Sequence, residues 1–430
     1  MTARNGLPAA PTDGSGGRRR FSRSWRIVAA LAVTQTIGYG VLYYAFSVFL
    51  TPMTRDLQAS GAQVAAALTL AVLTTALCAP LVGRWLDARG GRGLMTAGSV
   101  LGTLAVLVWS RVQDLPQLYG VFVAIGVASA MVLYEPAFAV IVSWFDGPVH
   151  GRGRANALIA LTIVAGFASS IFLPLTGLLV EHYGWRQALI FLAVLYGVAA
   201  IPLHALVLRR RPHHSSLAAA DPGGRADLVK AAVRARPFWL LAAAFTAHGG
   251  AVATIAVLLV SYLVYLGHSP VFAATVAGLL GVLSVTGRLV TTGLRSRWSA
   301  APVAAAVFAL QGVGALLLPL LGRAVPGAIG CVLLFGIGFG VGTITLPHLL
   351  AERYGTAAYA TLSGRIAMFS VADKAAAPLG AVALAQAAGY GWVMTAVATA
   401  CAVAACALLA YHRLSFRAMS KQGSDQEVPS

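Results

Sequence analysis

The sequence predicts an all-α integral membrane protein of twelve transmembrane helices arranged as two pseudo-symmetric six-helix bundles. Three observations carry that prediction. Of 430 residues, 58% are hydrophobic and 10% charged, with a mean hydropathy of +0.79, far more apolar than a soluble domain. Apolar stretches close to the roughly 20 residues that a bilayer core requires recur along nearly the whole chain. The longest polar stretch, Arg209 to Arg236, falls in the middle and divides six stretches from six.

In order, residues 1–25 are rich in Gly, Pro, Ser and Arg and read as a disordered basic tail. The apolar run at 27–50 follows Arg18, Arg19, Arg20, Arg23 and Arg26. It is longer than a signal-peptide core and lacks a small-residue cleavage site, so it reads as a retained first span. Further spans are expected at 61–82, 93–111, 117–145, 155–180 and 186–208 in the first half. The second half supplies 238–266, 271–294, 299–321, 325–350, 361–386 and 390–411. The expected domains are therefore bundles 26–208 and 237–411, a cytoplasmic linker 209–236 and a cytoplasmic tail 412–430. Repeated dipeptides support a duplication: Gly83-Arg84 with Gly287-Arg288, Pro174-Leu175 with Pro378-Leu379, and Ile125-Gly126 with Ile337-Gly338.

The net charge of +18 raises the possibility of nucleic-acid binding, and the placement of the charges excludes it. With a cytoplasmic N-terminus, 24 of the 31 Lys and Arg residues fall in cytoplasmic segments, four in external loops and three inside spans. That is the positive-inside pattern of a multi-pass protein of the cell's inner (plasma) membrane with both termini cytoplasmic, in contact with lipid headgroups. Cys78, Cys331, Cys401 and Cys406 all lie in apolar stretches and match neither a metal site nor a disulfide framework. The glycine run Gly336, Gly338, Gly340 and Gly342 fits close helix packing and not a nucleotide loop. No cofactor or metal is expected.

After the second span the chain reads Gly83-Arg84-Trp85-Leu86-Asp87-Ala88-Arg89-Gly90-Gly91-Arg92. This resembles the signature loop of the major facilitator superfamily, and the resemblance implies the fold above and the function of a secondary transporter. It also implies that Gly83, Asp87, Gly90 and Arg92 form a conformational latch between the halves in one access state. Asp87 can accept hydrogen bonds from Arg89 or Arg92, or face the positive end of a neighbouring helix; an ordinary polar turn is the alternative. Within the superfamily, Tyr134-Glu135-Pro136, Gly184-Trp185-Arg186 and Gly287-Arg288-Leu289 look most like the branch of oxalate/formate antiporters and monocarboxylate porters.

Charges inside a bilayer are costly and usually line a cavity or pair. Lys374, in the middle of the eleventh span with Ser370 and Pro378 one turn away, is the first candidate for a substrate contact; a structural pair with Asp373 or Glu135 is the alternative. Arg288 in the eighth span is the second, with a gate or end anchor as its alternative. In the branch named above a Lys and an Arg in these two spans hold substrate carboxylates, and Lys374 and Arg288 resemble them. Glu135 and Asp373 are candidates for proton coupling or for neutralising these cations. His248 could touch substrate or be hydrogen-bonded in the core. Tyr39 and Tyr43 share a helical face at i, i+4 and could line the same cavity, with Tyr44 nearby. Arg365 is expected to anchor at the interface or to Glu352.

The expected function is secondary transport of a small organic anion, a mono- or dicarboxylate, by a monomer, with protons as a candidate coupling ion. Export of amphipathic drugs or metabolites is the alternative transport reading. A transporter-like receptor or membrane enzyme is disfavoured: there is no sizeable extramembrane domain, no H-E-x-x-H and no G-x-S-x-G.

Overall fold

The computed structural model describes residues 14–145, 151–208, 222–294 and 297–424. The expected tail before residue 14, the linker residues 209–221 and the last six residues lie outside that description. Among the described residues, eleven helices are long and apolar enough to cross a membrane. The longest, Gly153–Val207, combines two spans, because Gly184 adopts φ 75° and ψ 162°, a conformation that a residue with a Cβ avoids. The count is therefore twelve. Helix already begins at Gly14, inside the segment expected to be disordered, and the last helix runs on to Ser424. A helix nucleated in the bilayer extends by one hydrogen bond per added residue, which explains both overruns.

Span one is Gly14–Tyr39, a π-helical turn Gly40–Tyr44, and Ala45–Asp56. Spans two and three are Gly61–Arg89 and Gly91–Trp109, turned by Gly90 at φ 77°. Span four is broken into Leu115–Val132 and Tyr134–Trp144. Span five begins at Gly151–Gly166 and continues from Ala168 to the bend at Gly184, beyond which span six runs to Pro202 and a π-helical turn, Leu203–Val207. The linker contains a helix, Pro222–Arg234. Spans seven to nine are Arg236–Tyr265, Pro270–Leu294 and Ala300–Leu321. Span ten is broken into Val325–Gly336 and Val341–Tyr354, and spans eleven and twelve are Tyr359–Ala388 and Tyr390–Ser424.

The break in span four follows from one residue. Pro136 has no N–H, so the carbonyl of Val132, four residues earlier, loses its helical donor. The side-chain amide of Gln35 in span one donates to that carbonyl at 2.6 Å. A bilayer offers no water for an orphaned carbonyl, so the broken helix requires such a neighbour. The proline lies in the first turn of Tyr134–Trp144, where it is tolerated, and the chain departs from helix at Leu133 instead.

Each half packs its own core. In the first, Phe46, Phe49, Trp109 and Phe122 form a cluster of rings with centroids 4.8–6.1 Å apart. In the second, Leu259, Tyr262, Val332 and Phe335 belong to a separate buried cluster. A further cluster is built from both halves: Val82 and Leu86 meet Tyr359, Ala360 and Leu362, together with Val229 and Ala232 of the linker helix. It lies on the face of the bundle that carries the two ends of the described chain. On the opposite face, Asp56 accepts from Trp185 Nε1 at 2.8 Å and stands 3.6 Å from Arg186 Nε. Arg186 also donates to the carbonyls of Ser110 and Val112, so the Gly184-Trp185-Arg186 segment ties spans one, three and six together. All four cysteines are free.

Candidate functional site

The two halves meet where spans two and eleven cross. A Cβ on Gly83 would collide with the carbonyl of Ala360, and one on Gly364 would collide with the carbonyl of Ala79. The crossing is thus backbone against backbone, and only glycine permits it. One turn further along span two, the Asp87 carboxylate accepts from the backbone N–H groups of Ala360 at 3.0 Å and Thr361 at 2.6 Å. These are orphan donors of the first turn of span eleven, and a carboxylate there gains from both the hydrogen bonds and the helix dipole. Of the two arrangements considered for Asp87, the structure adopts the helix terminus. Arg89 instead lies 4.3 Å over the Trp85 ring, Arg92 is exposed, and the cation in electrostatic reach of Asp87 is Arg225 of the linker helix.

A second contact between halves lies deeper. Glu135, in the first turn after the break in span four, accepts from the Ser363 hydroxyl of span eleven at 2.7 Å. Its predicted neutralising partners, Arg288 and Lys374, do not pair with it directly, although Lys374 acts on it electrostatically.

Arg288 supplies a third. It sits six residues before the end of span eight, about 9 Å in from that end, and is 8% exposed. Its Nε donates to the Gly340 carbonyl of span ten at 3.1 Å, and its Nη1 donates across the halves to the Thr162 carbonyl of span five at 3.1 Å. A guanidinium has five N–H donors, so three have no partner among the described residues. No carboxylate lies within 4.0 Å of it among them, and the side chains in its electrostatic reach are Tyr44 and Tyr134 of the opposite half.

Lys374 lies fifteen residues into span eleven and is exposed despite its mid-span depth. Its stem rests on the backbone of Gly249 in span seven, where a Cβ would come within 3.0 Å of its Cε. Asp373 turns its carboxylate onto the neighbouring Gly250 backbone. Among the described residues Lys374 has no hydrogen bond or ion pair, so the structure does not form the Lys374–Asp373 pair that adjacency invites. Pro378 leaves the carbonyl of Lys374 without its helical donor as well.

The remaining candidates divide. Tyr39 and Tyr43 do not stack: the π-helical turn inserts a residue, and Tyr44 comes beneath Tyr39 with ring centroids 6.4 Å apart. Tyr39 also leans on Tyr134 at 4.6 Å, whereas Tyr43 is 41% exposed and edge-on to Tyr44. His248 is 5% exposed, stacked 3.8 Å from Phe308 and hydrogen-bonded through Nε2 to Gln311 at 3.0 Å. That places its ring within the second half, with Lys374 in electrostatic reach. Glu352, considered for Arg365, pairs with His348 on its own helix at 3.5 Å. Sequence reasoning did not reach Tyr134 as a lining residue, Ser363, or the Thr162 and Gly340 carbonyls. Only Tyr134 had a signal, its place beside Glu135.

Twelve spans in two halves, joined at one face by backbone-level contacts and carrying cations inside the spans, define a polytopic membrane transporter. The chain belongs to the Major Facilitator Superfamily, whose sequence profile matches residues 31–372. Bovine monocarboxylate transporter 13 is 28% identical over 358 residues, 81% of this chain and 78% of that protein. Human monocarboxylate transporter 11 is 30% identical over 209 residues, 47% of this chain and 39% of its own length. Among solved structures, the fucose:proton symporter of E. coli superposes with a TM-score of 0.71 at 15% identity, covering 89% of this chain and 98% of that one. A human organic anion transporter does so with a TM-score of 0.64 at 17% identity, covering 93% and 100%. At these identities the two structures speak to the fold alone.

Proposed function

We propose that this protein is a secondary transporter of a small organic monocarboxylate, working by alternating access in the inner membrane with both termini in the cytoplasm. The observation that carries the reading is Arg288: a guanidinium held between the halves by two backbone carbonyls, with no acid partner and three free donors among the described residues. Such a group binds a carboxylate bidentately and strongly in a low-dielectric site. Lys374 is the second cation, and Asp373 and Glu135 balance it when no anion is bound. The names of the monocarboxylate transporters among its relatives agree with this reading.

The contacts of Asp87, Glu135 and Arg288 across the halves all lie toward the face carrying the termini. On this reading they close the cytoplasmic side and leave the site reachable from outside, and Asp87 with Gly83 and Gly90 is the latch. Glu135, whose bond to Ser363 must break when the halves rock apart, is the carboxylate placed to take up a proton in exchange. The test is uptake of labelled monocarboxylates, organic cations and neutral solutes into proteoliposomes, with and without a pH gradient. Saturable uptake confined to anions is expected; uptake of cations or neutral solutes alone would overturn the reading.

A further inference from the structure

We propose that the transported anion carries an aromatic ring, seated against Tyr39, Tyr44 and Tyr134 while Arg288 holds its single carboxylate. This rests on the anion-transport reading above and specifies the body of the molecule. The rings form a continuous wall at the junction of spans one and four. Tyr134 stacks on Phe138 at 5.1 Å with only 6° between planes, Tyr39 tilts onto Tyr134, Tyr44 follows Tyr39, and Tyr43 closes the row edge-on. The π-helical turn brings Tyr44 into that row; a regular helix would put Tyr43 there. Tyr44 and Tyr134 are also the two side chains of the first half that act electrostatically on Arg288. Wall and cation therefore face one another across the division between the halves.

Charge limits the substrate to one carboxylate. Lys374 has Asp373 and Glu135 within electrostatic reach, whereas Arg288 has no acid. With Glu135 carrying the proton proposed above, Asp373 offsets Lys374 and one carboxylate neutralises Arg288. A second would have to stand against the tyrosine rings, desolvated and without a cation, which disfavours dicarboxylates. A very short anion would fill the Arg288 fork and leave the rings wet. An aryl group a bond or two from the carboxylate uses both, in the offset or edge-on geometry that aromatic pairs prefer.

The experiment compares phenylacetate, cyclohexylacetate and acetate as competitors and as labelled substrates in proteoliposomes of the wild-type protein and of Tyr134→Phe, Tyr134→Leu and Tyr44→Leu. Cyclohexylacetate has the same length and a more hydrophobic ring, so hydrophobicity alone would favour it. Phenylacetate is expected to compete about threefold to tenfold better than cyclohexylacetate. That ratio should persist in Tyr134→Phe and fall towards one in the two leucine variants. Cyclohexylacetate matching phenylacetate in the wild type, or a ratio unchanged in both leucine variants, would overturn the inference. Should a leucine variant fail to insert, the wild-type ratio and Tyr134→Phe decide the matter. Uptake of acetate without phenylacetate would remove the aromatic substrate and leave anion transport standing; uptake of no anion would remove both.

Discussion

Replacing Asp87 with Asn removes charge from the latch and leaves its shape. The carboxylate accepts two backbone N–H groups, from Ala360 and Thr361. An amide can accept one of them, and its NH2 then faces the other donor. The loss is one hydrogen bond to a charged group, about 1.5–3 kcal/mol, together with about 0.3–1 kcal/mol of charge–dipole attraction at the start of span eleven. On the latch proposed above, only one access state contains these contacts, so the whole difference, about 2–4 kcal/mol, shifts the balance between access states and not the folding of either half. Cys78 reports the shift. It packs against the cluster shared by both halves, nine residues before Asp87, and is half-buried. With Cys331, Cys401 and Cys406 replaced by Ala, thiol labelling of Cys78 from the face carrying the termini should rise at least tenfold in Asp87→Asn, with little change in the unfolding midpoint. Labelling at the wild-type rate in a folded variant would refute the latch.

Gly83→Ala and Gly364→Ala each place a methyl against a carbonyl of the opposite half, so both should raise the same Cys78 labelling, while Gly177→Ala, where nothing lies within 4 Å, should not. Gln35→Leu orphans the Val132 carbonyl and should destabilise the protein by about 1–3 kcal/mol; Pro136→Ala restores a backbone donor, so thermal unfolding of the double variant should show most of that loss recovered. Gly249→Ala pushes on the Lys374 stem and should weaken anion binding, as measured by the concentration for half-maximal uptake, more than it lowers the unfolding midpoint.

The span pattern was legible because each span must be apolar along its whole length, and the loop from Gly83 to Arg92 was legible as a superfamily signature because its glycines and acid are named by letter. What Asp87 binds was not legible. Its partners are backbone N–H groups 273 and 274 positions away, and backbone donors look alike in every residue. Arg288 was visible as a buried cation, yet its two carbonyl partners were hidden for the same reason. The shared face of Tyr39 and Tyr43 was displaced by one position because a π-helical turn leaves no distinctive pattern in hydropathy, so Tyr44 comes beneath Tyr39. His248 showed its alternative in advance: a histidine flanked by glycines and apolar residues can be satisfied by one amide, and Gln311 supplies it. Glu135 and Ser363, 228 positions apart, meet only because Pro136 breaks span four and the two halves close on each other.

The central claim, that Arg288 and Lys374 hold a carboxylate, is tested most directly by equilibrium binding of the transported anion to purified wild-type protein, Arg288→Gln, Lys374→Gln, and the double variant Lys374→Ala with Asp373→Ala. Arg288→Gln removes a buried hydrogen-bonding charge and the Lys374 variants remove the second cation; a charge that grips a buried carboxylate is worth about 2–5 kcal/mol, so affinity should fall at least thirtyfold in every one while the unfolding midpoint stays near that of the wild type. Wild-type affinity in a folded Arg288→Gln protein, or recovery of binding in the double variant, would contradict the account.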